Sequence, residues 1–334
     1  MSGRPAIELG GGLRFDPPLL LAPMEGVTDR SFRGLVAEAN PGAVGALCTE
    51  FVRVTAPPIP VRRLRAELVR PGPPGGPPLG LQLMGNRPET VAATAAGAAE
   101  AGADFVDLNF GCPAPRVFQH RAGSALLDDP PALERMVRAV VAACPLPVTV
   151  KIRAGGAEDR RIEEIVRRIE DAGARLVTVH ARLRIERYTD PPDWRRIERA
   201  VAAVSIPVVG NGGVDSPAAV GRMFAATGCA GVMIGRAILA DPWLFRRALG
   251  RPAPTDAAAQ VAWLRCYAAR MQEGGATPLQ AAGRLKQIVK ALVAAGRIHP
   301  AEAAHPLLRM AEPDAILERL GRILTGHGSG ASLS

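Results

Sequence analysis

Eight short runs of β-type residues, each followed by a longer stretch with helical spacing, constrain this chain more than any other feature. The runs are LLLAPM (19–24), ALCTEFV (46–52), LGLQLMG (79–85), FVDLNFG (105–111), VTVKIRA (148–154), LVTVHAR (176–182), VVGNGG (208–213) and GVMIGRA (231–237). Stretches such as PETVAATAAGAAEAG, PALERMVRAVVAAC and DRRIEEIVRRIEDAG repeat apolar residues near every 3.6 positions, and several stop at Gly. Eight strands alternating with about eight helices predict an α/β fold, a (β/α)8 TIM barrel. A doubly wound sheet is the rival, but no GxGxxG follows the first strand.

Residues 1–250 are expected to form the barrel domain, with 1–18 as a hairpin or arm across its bottom. The Pro-, Gly- and Arg-rich stretch 55–78 reads as an irregular insert between strands 2 and 3. Pro252 and Pro254 mark a boundary. Residues 251–325 then read as a small helical bundle, with helices at 256–273, 278–295 and 300–325, and 326–334 as a flexible tail.

The chain is basic: 41 Lys and Arg stand against 32 Asp and Glu, a net charge of +9. Such a balance favours an anionic partner, nucleic acid before membrane surface. Residues 251–334 hold ten basic and six acidic residues, so the excess is densest there. Only three basic residues are lysines, Lys151, Lys286 and Lys290, which points each toward work a guanidinium does poorly. A 48% hydrophobic and 22% charged composition excludes disorder over most of the length. No apolar run reaches the ~18 residues of a membrane span, and the first thirty residues lack a signal-peptide pattern. The five cysteines (48, 112, 144, 229, 266) form no CxxC, which argues against a disulfide scaffold or metal site and for a reducing cytoplasm. Cys48, Cys144, Cys229 and Cys266 read as small buried residues.

In such barrels the active site lies at the C-terminal ends of the strands. Polar and glycine residues gather there: Met24-Glu25, Glu50 and Arg53, Gln82, Asn109 and Cys112, Lys151 and Arg153, His180 and Arg182, Asn211-Gly212-Gly213, and Gly235-Arg236. Barrel enzymes often bind phosphate after strands 7 and 8. Gly212, Gly213 and Gly235 allow close backbone approach there, and Arg236 can fork onto an anion. A buried Lys151 needs an anionic partner or delocalised negative charge. His180, on the next strand, is a ligand-facing group or a core histidine. Cys112, in Asn-Phe-Gly-Cys-Pro, offers a thiol at the barrel mouth, suited to a general acid or a nucleophile.

With these residues in place, the sequence resembles the tRNA-dihydrouridine synthases. The matching segments are LAPMEGVTD (21–29), CTEFVRVT (48–55), LQLMGN (81–86), DLNFGCPAPRV (107–117), AGSALLDDP (122–130), VTVKIR (148–153), VTVHAR (177–182), PVVGNGGV (207–214) and GVMIGRAILADPWLF (231–245). GRLKQIVKAL (283–292), APMEG and TEFVRV are similar to the bacterial C-type subgroup, whereas the stretch after Cys112 looks more like the B-type. The resemblance implies FMN on Pro23, Met24, Glu25, Gln82, Lys151 and His180, with its phosphate on Asn211, Gly212, Gly213, Gly235 and Arg236. It implies Cys112 as the proton donor to carbon 5 of a uracil whose carbon 6 receives hydride, with NADPH as transient reductant. It implies tRNA contacts at Arg53, Asn109, Tyr188, Arg284, Lys286 and Arg309, and the D-loop uridine at position 16 as target. The expected protein is a cytoplasmic monomer that binds neither membrane nor DNA. Departures are His180-Ala181-Arg182 where the family usually has His-Gly-Arg, and Asn211-Gly212-Gly213 where it often has Asn-Gly-Asp or Asn-Gly-Glu.

Two other readings compete. A barrel flavoenzyme acting on a free pyrimidine would not need the basic helical tail. A non-enzymatic RNA-binding barrel would not need Cys112, Lys151 and His180 together.

Overall fold

The computed structural model describes residues 4–70, 75–301 and 307–326. The strands are β1 (Ile7–Gly10), β2 (Leu13–Phe15), β3 (Leu19–Leu21), β4 (Leu47–Cys48), β5 (Val52–Arg53), β6 (Leu79–Met84), β7 (Phe105–Phe110), β8 (Val148–Arg153), β9 (Leu176–His180), β10 (Val208–Asn211) and β11 (Gly231–Ile234). The helices are α1 (Arg30–Ala39), α2 (Val61–Glu67), α3 (Pro88–Ala96), α4 (Ala98–Ala101), α5 (Pro115–Gln119), α6 (Pro130–Ala143), α7 (Ile162–Asp171), α8 (Arg195–Ala203), α9 (Pro217–Thr227), α10 (Ala237–Ala240), α11 (Leu244–Ala248), α12 (Ala257–Glu273), α13 (Pro278–Ala294) and α14 (Pro313–Leu324).

The parallel sheet runs β3-β11-β10-β9-β8-β7-β6-β4, with β5 also paired to β6. A parallel bridge between Leu20 and Ala46 joins its two ends, so the ring closes as a (β/α)8 barrel. All eight expected runs supply barrel strands. The second run divides into β4 and β5, and most runs stop one to three residues early. Beyond those points the chain turns outward at the mouth and leaves the ladder.

β1 and β2 form an antiparallel hairpin. Its Ile7, Leu9 and Phe15 pack with Leu20, Phe105, Leu176, Val209 and Met233 from the N-terminal ends of the barrel strands. The bottom is therefore plugged with apolar groups, and polar chemistry is confined to the other end. The surrounding helices bury one face each. In α7 these are Ile162, Ile165, Val166 and Ile169, at the spacing that puts side chains on one stripe. Among the described residues no helix is long and apolar enough to cross a membrane.

Three expectations change. The insert at 55–78 is not wholly irregular, because α2 forms after Pro60 and buries Leu64. The expected helix over 300–325 begins as helix at residues 300–301, but a short 3-10 turn (Leu307–Arg309) and the separate helix α14 take its second half. Pro313 opens α14, since proline lacks the N–H and fits the first turn rather than the interior; residues 302–306 and the tail beyond 326 lie outside the described residues. Cys266 is exposed. The buried positions of α12 (Gln260, Trp263, Leu264, Tyr267, Ala268, Met271) leave residue 266 on the opposite face.

The three C-terminal helices share one continuous hydrophobic core with the barrel. Phe32 of α1 meets Trp263 and Tyr267 of α12 edge-on, with ring centroids 5.5 Å apart in both pairs. Arg270 binds both carboxylate oxygens of Glu38 at 2.8 and 2.7 Å. At the mouth, Arg284 of α13 reaches Asp29 at 3.0 Å and Glu50 at 3.4 Å. Glu50 also accepts the Val27 N–H at 3.0 Å, and the Tyr267 hydroxyl donates to Asp29 at 3.2 Å. The helical bundle is thus tied to the loop that follows β3.

Candidate active site

Alternation along the strands turns every second side chain into the barrel. On β7 these are Asp107 and Asn109. Asp107 is buried and accepts from Thr149 Oγ1 at 2.6 Å and from Gln82 Nε2 at 2.7 Å. Burial pushes its carboxyl pKa up, while these two donors and Lys151 pull it down. Asn109 Nδ2 donates to Gln82 Oε1 at 2.8 Å. Its Oδ1 accepts the backbone N–H groups of Gly111 and Cys112, both at 3.0 Å. A side-chain relay therefore runs from the barrel interior to the turn that carries the thiol.

Cys112 is half-buried. Burial pushes its pKa up, as does Glu25 nearby, against smaller opposing effects from the Ala114 N–H, Arg153 and Arg53. The thiol keeps its proton at neutral pH. Ser124 fastens the same turn, its hydroxyl donating to the Cys112 carbonyl at 2.7 Å.

On β8 and β9, Lys151 and His180 face the mouth. Burial lowers the Lys151 pKa to about 8, opposed by Asp107. Its Nζ donates to Asn211 Oδ1 at 3.2 Å, and Asn211 is held by its own Nδ2 on the Met233 carbonyl at 2.8 Å. His180 is buried and pushed down to about 2, first by burial and then by Lys151, Arg153, Arg182 and Arg236. It is a neutral imidazole. Its Nδ1 accepts the Arg182 N–H at 3.2 Å, which leaves the ring proton on Nε2.

Around His180 the cations Lys151, Arg153, Arg182 and Arg236 outnumber the acids that act on them, Asp107 on Lys151 and Glu186 on Arg182. Arg153 Nε donates to the Gly111 carbonyl at 3.1 Å and its Nη1 to Leu183 O at 2.7 Å. Arg182 donates through Nε to Asp190 O at 2.8 Å, but its buried Nη1 has no partner among the described residues. Arg236 lies over the Tyr188 ring at 4.3 Å and Arg153 lies over it at 5.3 Å. Burial and mutual repulsion hold the Arg182 and Arg236 pKa values down. Such a site is suited to an anion.

The turn after β10 is glycine for steric reasons. Gly212 and Gly213 have φ of +101° and +74°, and a Cβ on Gly213 would lie 2.4 Å from Pro192 Cγ. Trp194 Nε1 fixes the turn by donating to Gly212 O at 2.9 Å. Gly235 differs. A Cβ there would meet Met24 and Ala22 at ordinary contact distance, so the protein's own packing does not require a glycine.

The structure brings Gln82, Asn109, Cys112, Lys151, His180, Asn211, Gly212, Gly213, Gly235 and Arg236 to one end of the barrel, with Pro23, Met24 and Glu25 on the loop after β3. The residues expected to touch RNA divide. Arg53 and Tyr188 sit at the mouth, and Lys286 and Arg309 lie on the helical bundle. Arg284 sits in the seam described above, and Asn109 points into the barrel relay. Sequence reasoning passed over Asp107 and Thr149 as site residues, and placed Glu50, Arg153 and Arg182 at the strand ends without giving them a role. The two-residue alternation Asp107–Asn109 and Thr149–Lys151–Arg153 was the available signal. Among the described residues no cluster of His, Cys, Asp and Glu could hold a metal.

Residues 20–274 match the family model described as Dihydrouridine synthase (Dus). The chain is 41% identical over 233 residues to the probable tRNA-dihydrouridine synthase of Rhodobacter capsulatus, covering 69% of this chain and 70% of that one. It is 40% identical over 229 residues to tRNA-dihydrouridine synthase B of Pseudomonas syringae pv. tomato, covering 68% and 66%. It is 40% identical over 238 residues to the tRNA-dihydrouridine(16) synthase of Cupriavidus necator, covering 70% and 73%.

Proposed function

The chain belongs to the dihydrouridine synthase family, and from that premise we propose that it reduces a D-loop uridine of tRNA, at position 16, to 5,6-dihydrouridine, with bound FMN and with NADPH as reductant. The observation that carries the reading is a protonated thiol and an anion-hungry cation cluster at one barrel mouth, linked through Arg153. Arg153 bonds the Gly111 carbonyl beside Cys112 and also belongs to the charges around His180.

The residues present fit a phosphate-bearing flavin. Among the described residues Arg182 Nη1 lacks a partner, and Lys151 donates to Asn211 with the buried Asp107 behind it. Asn211, Gly212, Gly213, Gly235 and Arg236 would hold the phosphate. Pro23, Met24, Glu25, Gln82, Lys151 and His180 would hold the ring. A glycine that the protein's own packing does not require suits an anion approaching the Gly235 N–H. FMN held there would, once reduced, supply the hydride for carbon 6 of the uracil. Cys112 holds a proton at Sγ and delivers it to carbon 5. The Asn109 amide fixes the backbone on either side of that thiol. Neutral His180 offers an Nε2–H donor and adds no further positive charge to the cluster.

Position 16 rests on the likeness of residues 283–292 to the C-type subgroup and on the relative named for that position. The B-type relative of Pseudomonas syringae pv. tomato matches at the same 40% identity as the one named for position 16. Mapping dihydrouridine in tRNA from cells lacking the gene tests the reading. Loss at position 16 is expected. Loss at another uridine moves the position, and an unchanged dihydrouridine pattern overturns the function.

A further inference from the structure

Three exposed apolar side chains stand beside the mouth on tightly bonded backbone. Phe118 of α5 is 42% exposed, and Ile185 and Tyr188 of the β9–α8 loop are 64% and 50% exposed. That loop is not slack. Glu186 accepts from Leu183 N and Arg196 Nη1, both at 2.8 Å, and Asp190 accepts from Arg187 N at 2.7 Å. An ordered loop that holds large apolar groups in water gains nothing from it in the free protein and marks a contact surface.

Arg184 joins this loop to the Cys112 turn. Its guanidinium lies 4.6 Å over the Phe118 ring. Its Nη1 donates to Asp128 at 2.6 Å and to the Ser124 carbonyl at 3.2 Å, and Ser124 in turn bonds the Cys112 carbonyl. One face of Phe118 is thus backed by a fixed cation, with the ring still substantially open to solvent.

The surrounding charge is distributed unevenly. Arg116, Arg121 and Arg187 are exposed here and make no ion pair among the described residues. The outer helices carry both kinds, since Arg135, Arg167 and Arg222 are likewise exposed without an ion pair among the described residues. Arg138, Arg161, Arg168 and Arg199 pair with Glu134, Glu164, Glu163 and Asp159. Unpaired arginines beside an arginine-backed aromatic match the needs of unstacked nucleotides, with phosphates for the cations and a base for the ring.

We propose that Phe118, backed by Arg184, and Ile185 form a stacking ledge for the tRNA nucleotides next to the uridine being reduced. Arg116, Arg121 and Arg187 take the neighbouring phosphates. Extruding the target base exposes the faces of its neighbours, and the ledge covers one of them. The inference rests on the tRNA reading above.

The test measures equilibrium binding of unmodified tRNA transcript to the full chain over a series of salt concentrations. Phe118→Ala should raise Kd about tenfold, or ~1.4 kcal/mol, at every salt concentration and leave the slope of log Kd against log salt unchanged. Phe118→Trp should restore Kd to within about twofold. Arg121→Ala should instead reduce the slope by about 0.7–0.9, the signature of one lost phosphate contact. A Phe118→Ala protein with wild-type Kd and wild-type Tm overturns the ledge, and so does a loss that Phe118→Trp fails to rescue. Wild-type protein that does not bind tRNA at all removes the tRNA reading itself, a result distinct from either.

Discussion

Cys112 keeps its proton because of where the turn after β7 places it. Burial and the nearby Glu25 raise its pKa more than the Ala114 N–H and two arginines lower it. A general acid must be protonated to act. A raised pKa therefore moves the loss of activity to a pH above the ordinary thiol range. Cys112→Ala is expected to slow single-turnover uridine reduction by about 10²–10⁴-fold with tRNA affinity retained. The alkaline limb assigned to the thiol should vanish in that variant. A separate limb near pH 8 should persist, because Lys151 loses its charge there. Wild-type turnover by Cys112→Ala would remove the thiol from the chemistry. At this scale the sequence was legible where a residue type was scarce: Lys151 stood out as one of three lysines. Asp107 did not stand out. A buried carboxylate is told from a surface one by its partners, and Gln82 and Thr149 come from strands far away in the chain.

At the scale of elements, strand runs were easier to read than strand ends. The runs are apolar, and their alternation survives in the ladder. The last residues look equally β-like but serve the mouth. Residues 109–112 show why. Asn109 pairs in register with Lys151 on the ladder, yet its side chain organises the next turn. Replacing it by Ala strips a partner from the Gly111 and Cys112 N–H groups and from Gln82 Oε1, each worth about 1–3 kcal/mol when left buried and unpaired. Asn109→Ala is accordingly expected to lower kcat about tenfold or more, with KM for tRNA within about twofold. A raised KM at preserved kcat would instead make Asn109 an RNA contact, the role its sequence match implies. The break of the expected 300–325 helix has a similar lesson. Helical periodicity persists across it, and Pro313 was the mark of a fresh start.

For the whole molecule, the basic helical bundle is held against α1 and the loop after β3. Arg284 answers to both parts, bonding Asp29 on the loop that carries Pro23, Met24 and Glu25, and Glu50 between β4 and β5. Its match to an RNA-contacting position and its place in the seam predict different outcomes from those of Lys286 and Arg309, which have no such ties among the described residues. Burial raises the Glu50 pKa, and Arg284 opposes that rise. Without Arg284 the carboxyl is pushed further up, so the folded state binds a proton over a wider window than the unfolded state does. Stability then falls as pH rises through that window. Arg284→Ala should therefore lower Tm more at pH 7.5 than at pH 5, and should weaken tRNA binding through misplacement of the bundle. Lys286→Ala with Arg309→Ala should leave Tm unchanged at both pH values. That pair should instead reduce the slope of log Kd against log salt by about 1.4–1.8, the sum for two phosphate contacts. Equal Tm losses for Arg284→Ala at the two pH values would show that Glu50 does not titrate with the seam, and an unchanged slope in the double variant would place the RNA elsewhere on the chain.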